Sequence, residues 1–296
     1  MTAQTETTGT IYDIGYRRYD GPRLGRGGAI GAVVEAGLRA VFGLGRSGRS
    51  KIIPWGAVVL AILPAVIAVA VRVLAGDLIA GLYNYENYLW QIGGLFGIFL
   101  AAQAPELVVN DIRYRVLPLY FSRPMSRVDY VASKLGALAI ALLALTLVPV
   151  LVLFVGRVLA TDDLLAALGD EIGFLPSIIG NGILHAVVLA SIGLAISSLA
   201  SRRAFAAAAV LAVFLVGGVI SEALSGNALD AFDDWAPFTN PLAIIDGARQ
   251  WLFGVEVAES PVGSSDVPLP VFGLAAALLT LGSWLVLALR YRRITV

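Results

Sequence analysis

LGALAIALLALTLVPVLVLFV, residues 135–155, is a run of 21 residues without a single charge. At about 1.5 Å of rise per residue a helix of that length reaches about 31 Å, enough to cross a hydrocarbon core of roughly 30 Å. Lys134 stands immediately before the run and Arg157 just after it. Outward from it lie five more apolar runs, 52–75 and 88–109 on one side, 174–200, 204–220 and 268–289 on the other. Each has the length and composition of a membrane span.

The gaps between these runs alternate in charge. Arg17, Arg18, Arg23, Arg26, Arg39, Arg46, Arg49 and Lys51 precede the first run. Arg113, Arg115, Arg123, Arg127 and Lys134 fall in the second gap, Arg202 and Arg203 in the fourth, and Arg290, Arg292 and Arg293 in the tail. Eighteen of the 21 Lys and Arg residues therefore share one side; only Arg72, Arg157 and Arg249 belong to the other, with 14 of the 21 acids. Positive-inside bias then predicts both termini in the cytoplasm. The zero net charge hides this polarity, and no nucleic-acid partner is expected from it.

Composition agrees: 58% of residues are hydrophobic and 14% charged, against about 25% charged in a soluble domain. The expectation is an all-α integral membrane protein of the cytoplasmic (inner) membrane with six transmembrane helices. Residues 1–51 form a cytoplasmic arm and amphipathic helix, and residues 52–296 the transmembrane domain. Met1 to Thr10 is polar, so no cleavable signal is expected and the first span does the targeting. The chain has no Cys, which removes disulfides and thiolate metal sites.

Residues 29–44 repeat Ile30, Val33, Val34, Leu38, Val41 and Phe42 at three- and four-residue steps, with Glu35 and Arg39 elsewhere on the wheel. That pattern predicts a helix lying in the membrane interface. Residues 43–50, GLGRSGRS, are one substitution from a phosphate loop, with Arg49 in the lysine position. The preceding helix and following span reject that reading, leaving a Gly-rich hinge whose cations meet lipid head groups.

The second gap, DIRYRVLPLYFSRPMSRVD at 111–129, interleaves aromatics with arginines. A simple linker gains nothing from Tyr114, Leu117, Tyr120 and Phe121. Ser126 and Asp129 have capping-box spacing for the third span, and Pro118 and Pro124 bound a short separate helix or turn. In the fifth gap, Asn240-Pro241 ahead of Leu242, Ile245, Ala248 and Leu252 predicts a capped helix with one apolar face. With Phe232, Trp235, Phe238 and Trp251, residues 221–267 read as short helices dipping into the outer leaflet or covering an opening.

Polar residues within the spans are few. Asn181 and His185 lie one turn apart, Gln91 and Gln103 share the second span, and Gly93 and Gly97 make a small-residue ridge there. These amides and the imidazole serve either a pathway or interhelical hydrogen bonds. Glu106 is expected to pair with an arginine such as Arg113 or Arg202. His185 is the sole histidine, and there is no Gly-x-Ser-x-Gly, no HExxH and no intramembrane Asp pair. No catalytic, metal or cofactor-binding residue is therefore assigned.

In layout the whole chain resembles the permease subunits of type-2 ABC exporters. The local match is Arg123-Pro124-Met125-Ser126-Arg127 running to Lys134, similar to the family's Pro-x-Ser-Arg stretch as span three begins. The arm from Tyr12 to Arg23 is similar to that of actinobacterial members. A Gly-rich turn often follows the family's Glu before the loop; here Glu106 is present but no glycine occurs through Arg127. The resemblance implies export of a hydrophobic or amphipathic substrate, such as a drug or lipid. It also implies a second permease copy, contact with membrane lipid, and two separate ATPase subunits that carry the ATP and Mg. The loop residues Arg113, Tyr114, Arg115, Leu117, Pro118, Tyr120, Phe121, Arg123, Pro124, Ser126 and Arg127 are expected to couple permease to ATPase. The competing expectations are a proton-coupled carrier using His185 or Glu106, and a non-transporting assembly protein.

Overall fold

The computed structural model describes residues 20–21, 24–75, 84–122, 124–161, 163–225, 232–255 and 260–293. The arm motif at 12–23, apart from residues 20 and 21, and Arg123 lie outside the described residues. No strand occurs among the described residues. The helices are α1 (Gly25–Val41), α2 (Arg49–Ala75), α3 (Tyr88–Gln91), α4 (Gly93–Arg113), α5 (Leu117–Phe121), α6 (Arg127–Leu159), α7 (Leu164–Glu171), α8 (Leu175–Leu199), α9 (Arg203–Leu224), α10 (Pro241–Phe253) and α11 (Leu269–Arg292). Short 3₁₀ turns cover Ile172–Phe174 and Ala236–Thr239.

Six helical segments are long and apolar enough to cross a membrane, carried by α2, α4, α6, α8, α9 and α11. The second expected run is broken: α3 stops at Gln91 and α4 starts at Gly93. Helix α6 exceeds its apolar run at both ends, and at its start the reciprocal capping box of Ser126 and Asp129 fixes where it begins.

Small residues decide which helix sits in the middle. Helix α8 carries Gly182, Ala186, Ala190, Ser191, Gly193 and Ala195 on buried positions. A Cβ on Gly193 would fall 2.8 Å from Leu100 of α4, and one on Gly182 would fall 2.4 Å from Leu147 of α6. Backbones approach closely only where side chains are this small. Of α8's span 72% is buried, against 17% for α2, so α8 is the axis of the bundle and α2 lies on its outside. Around α8 stand α4, α6, α9 and α11. The Gly93 and Gly97 ridge is used in two directions: Gly97 faces Phe214 of α9 and Gly93 faces Leu242 of α10.

The alternation of charge becomes a polarity of shape. One end gathers α1, α5, the start of α6, the turn between α8 and α9, and the end of α11. Here Arg290 Nε donates to the Ser198 carbonyl at 3.3 Å, closing the last helix on the α8–α9 turn. We call this the basic end. The opposite end holds α3, α7 and α10, where Arg157 stacks 4.2 Å over Tyr85 and Ser177 donates to the Leu252 carbonyl at 3.2 Å. Burial raises the Tyr85 phenol above its ordinary pKa.

Candidate functional site

The loop between spans two and three is the most worked stretch of the basic end. Helix α4 ends in a reversal in which Arg115 N–H donates to the Ile112 carbonyl and Val116 N–H to that of Asp111, at 3.3 and 3.1 Å. This is a Schellman closure, and it needs a left-handed residue at its turn. Arg115 supplies it at φ 53°, the sole non-glycine with positive φ among the described residues. A conformation that glycine adopts freely is here imposed on arginine.

The turn launches α5, the short helix expected between the prolines. Its inward side is tightly held. Leu117 is buried, the Tyr120 ring lies 5.2 Å from that of Tyr130, and Phe121 meets the edge of the same ring at 6.2 Å. Tyr130 is itself fully buried and touches Tyr291 of α11 at 5.4 Å. The outward side is bare: Leu119 is 70% exposed and Pro118 is exposed too, and the adjoining end of α4 exposes Arg113, Tyr114 (66%) and the turn residue Arg115. Arg113 lies 5.6 Å over the Tyr114 ring and Arg127 5.9 Å from that of Phe121. Pro124 and Ser126 are exposed and form the extended link into α6.

Charge pairs weld this loop to the spans on both sides. Asp111 at the end of α4 accepts from Lys134 Nζ at 2.8 Å and from the Tyr130 hydroxyl at 2.7 Å, both on α6. Lys134 also sits 5.7 and 5.4 Å from the rings of Tyr120 and Tyr130, a cation–π arrangement. Asp129 receives Nε and Nη2 of Arg26 at 2.9 and 2.7 Å, which ties α1 to the start of α6. That hydrogen bond and charge raise the Arg26 pKa further above its usual value.

Glu106 corrects an expectation. Its carboxylate is buried and pairs neither with Arg113 nor with Arg202. Its partners are Arg46 in the link between α1 and α2 and Arg203, 2.5 Å away at the start of α9. Arg113 points out at the end of α4 instead, and Arg203, unlike Arg202, opens a helix turn facing α4. The Gly-rich hinge therefore sends one of its cations into the protein; Gly43 and Gly45 take positive φ to make that turn.

The polar span residues separate. Gln91 ends α3 and is exposed, away from the bundle interior, because the helix breaks before it can enter. Gln103 is buried on α4, and Asn181 and His185 are buried on α8. His185 Nδ1 donates to the Asn181 carbonyl at 2.9 Å and its ring packs 5.8 Å from Phe96, so it is tied to its own helix.

A second charged cluster was not expected. In α10, Arg249 Nε and Nη2 donate to Asp246 Oδ1 at 2.9 and 2.6 Å, both side chains 1% exposed. Gln250 Nε2 bridges Asp246 Oδ2 at 2.8 Å and Ser260 Oγ at 3.0 Å. The apolar face predicted from Leu242, Ile245, Ala248 and Leu252 is real in part, since Ile245 and Ala248 are buried. The helix is instead buried on most sides between α8, α9 and α11. An Asp and Arg at i and i+3 were the available signal.

Residues 92–290, two thirds of the chain, match the family described as ABC-2 family transporter protein. The chain belongs to that family, and with its six membrane-competent helices it is a multi-pass permease subunit of an ABC transporter rather than the ATPase. No curated protein matches it.

Proposed function

We propose that this chain is the membrane half of an ATP-driven exporter in the cytoplasmic membrane, with the basic end in the cytoplasm, and that α5 is the knob on which a separate ATPase subunit pushes. One observation supports this above others. Helix α5 presents bare Leu119 to solvent, beside the exposed Tyr114 at the end of α4, while its other side is locked to α6 through Tyr130, and α6 to α4 through Asp111 and Lys134. An apolar tip in water calls for a partner, and a rigid root carries force.

The partner ATPase, holding ATP and Mg, would dock α5 beside the exposed basic side chains of Arg113 and Arg115. Closure of two ATPases on a pair of permease copies would then move α4, α5 and α6 as one body. ATP drives transport only if it favours one of two permease states, so some contacts must exchange cheaply. The pairs of Glu106 with Arg46 and Arg203 meet that requirement, because both arginines are about half exposed and find water when released. Helix α1, pinned by Arg26 to Asp129, would lie along the cytoplasmic interface. The cargo is hydrophobic or amphipathic, in keeping with an apolar bundle and the exposed Trp235 and Trp251 at its far end.

A proton-coupled carrier gains nothing from these contacts: Glu106 is committed to two cations and His185 to a carbonyl of its own helix. The test is purification of the tagged chain from its own membranes in mild detergent, with identification and ATPase assay of what accompanies it. A stoichiometric subunit with an intact phosphate loop, lost in Leu119→Glu, supports the proposal. Proton-driven flux by the chain alone in liposomes overturns it.

A further inference from the structure

At the basic end α6, α8 and α11 do not close on one another. They leave a groove of about 370 Å³. Val131, Leu135 and Ala139 of α6 form one wall, Ala190 of α8 the back, and Trp284 and Ala288 of α11 the other wall. Gly136 keeps it open, since a Cβ there would meet nothing within 4 Å. The inner end is fixed by Trp284 Nε1, which donates to Ser191 Oγ at 2.9 Å. The lining between these ends is therefore mostly hydrocarbon, with Trp284 and Ser191 paired to each other.

The mouth is different. Arg127 and Arg292 stand there together, Arg127 Nη1 donating to the Arg292 carbonyl at 2.9 Å. Among the described residues neither guanidinium has a carboxylate. The described acids of the spans and helices at this end are already engaged: Asp129 by Arg26, Asp111 by Lys134, Glu106 by Arg46 and Arg203, and Glu35 by Arg39. Two arginines at the rim of an apolar slot, with no carboxylate on either among the described residues, call for an anion carrying a hydrocarbon tail.

The dimensions suit one. From Arg127 to Ala139 the groove follows α6 for twelve residues, about 18 Å at about 1.5 Å each. One leaflet contributes about 15 Å of hydrocarbon, so the slot runs from head-group level to the bilayer midplane. A free phosphate would leave the slot empty. A symmetric second copy would bring the same two arginines and no carboxylate to balance them.

We propose that this groove binds one anionic membrane lipid, its head group on Arg127 and Arg292 and an acyl chain along α6 past Gly136. The proposal does not depend on ATP coupling or on the cargo. It concerns the leaflet that meets the basic end, whichever molecule the exporter moves.

The experiment is native mass spectrometry of the full chain released from vesicles of phosphatidylglycerol mixed with phosphatidylcholine. The expected result is one retained phosphatidylglycerol per chain. Arg127→Gln with Arg292→Gln should lower the preference for the anionic lipid about thirtyfold, the scale of two cations at a charged surface. Gly136→Leu should abolish retention of either lipid by filling the slot. Gly56→Leu on α2, where an added Cβ also meets nothing within 4 Å, should retain it as the parent does. Retention unchanged in both the paired arginine variant and Gly136→Leu overturns the proposal. So does a change of oligomeric state in Gly136→Leu with lipid retention intact, which would mark the groove as a protein surface. Unfolding of Gly136→Leu leaves the decision to the arginine pair, whose side chains sit at the solvent rim.

Discussion

Glu106 and Asp246 are both buried carboxylates paired with arginine, but they are held in opposite ways. Glu106 joins three distant parts of the chain, with Arg46 and Arg203 each about half exposed. Asp246 is held by its own helix, three and four residues on, with Arg249 as buried as itself. A clamp whose cations reach water can open and close at small cost, because the released groups are rehydrated. One sealed from water cannot, because breaking it strands a charge in the interior. The basic end is built to exchange contacts and the opposite end to keep them.

The strongest test of that contrast removes Arg249. Arg249→Met leaves Asp246 buried without its cation and should destabilise the chain by about 3–5 kcal/mol, seen as a large fall in unfolding temperature in detergent. Asp246→Leu combined with Arg249→Met should recover most of the loss. A single variant as stable as the parent would abolish the distinction between the two ends.

Glu106→Gln comes next. Its two arginines are free to turn to solvent, so the expected cost is about 1–2 kcal/mol. The parent should lose more stability between low and high salt than this variant, which lacks the two Glu106 pairs. Equal salt dependence in both would place the clamp outside the energetics.

Leu119→Glu alters only an exposed tip. Its unfolding temperature should match the parent's, while transport coupled to ATP hydrolysis falls at least about tenfold, or about 1.4 kcal/mol of lost partner contact. A stable variant with full transport removes α5 from the coupling route. The smallest effect is expected from Tyr130→Phe, which deletes one hydrogen bond to Asp111 and keeps the aromatic stack. About 1 kcal/mol of stability should go, with α5 still in place by aromatic contact. A larger loss would show that the hydroxyl, rather than the ring cluster, anchors the loop.

The loop shows where reading the residues succeeded. Ser126 and Asp129 announced a cap, and Asn240 with Pro241 another, because a cap is satisfied within a few residues and needs no distant partner. Gly254 closes α10 in the left-handed conformation by the same local logic. Arg115 performs that office at the end of α4 without any glycine to signal it, and so was unreadable. Its turn is closed by hydrogen bonds to Ile112 and Asp111 and leads directly into α5, which packs on Tyr130.

From sequence alone came the six spans, their alternation and the basic and acidic ends, since transfer from water to hydrocarbon acts on each segment by composition and length. Which arginine meets Glu106, why Gln91 faces outward, how α10 hides a charged pair and where α6, α8 and α11 part to leave a groove were decided only by the tertiary structure. Those outcomes depend on helix rotation and on contacts between residues as much as 165 positions apart. In a bundle whose helices are apolar on nearly every side, composition sets depth in the membrane but not facing; close packing around the glycines of α8 sets the facing.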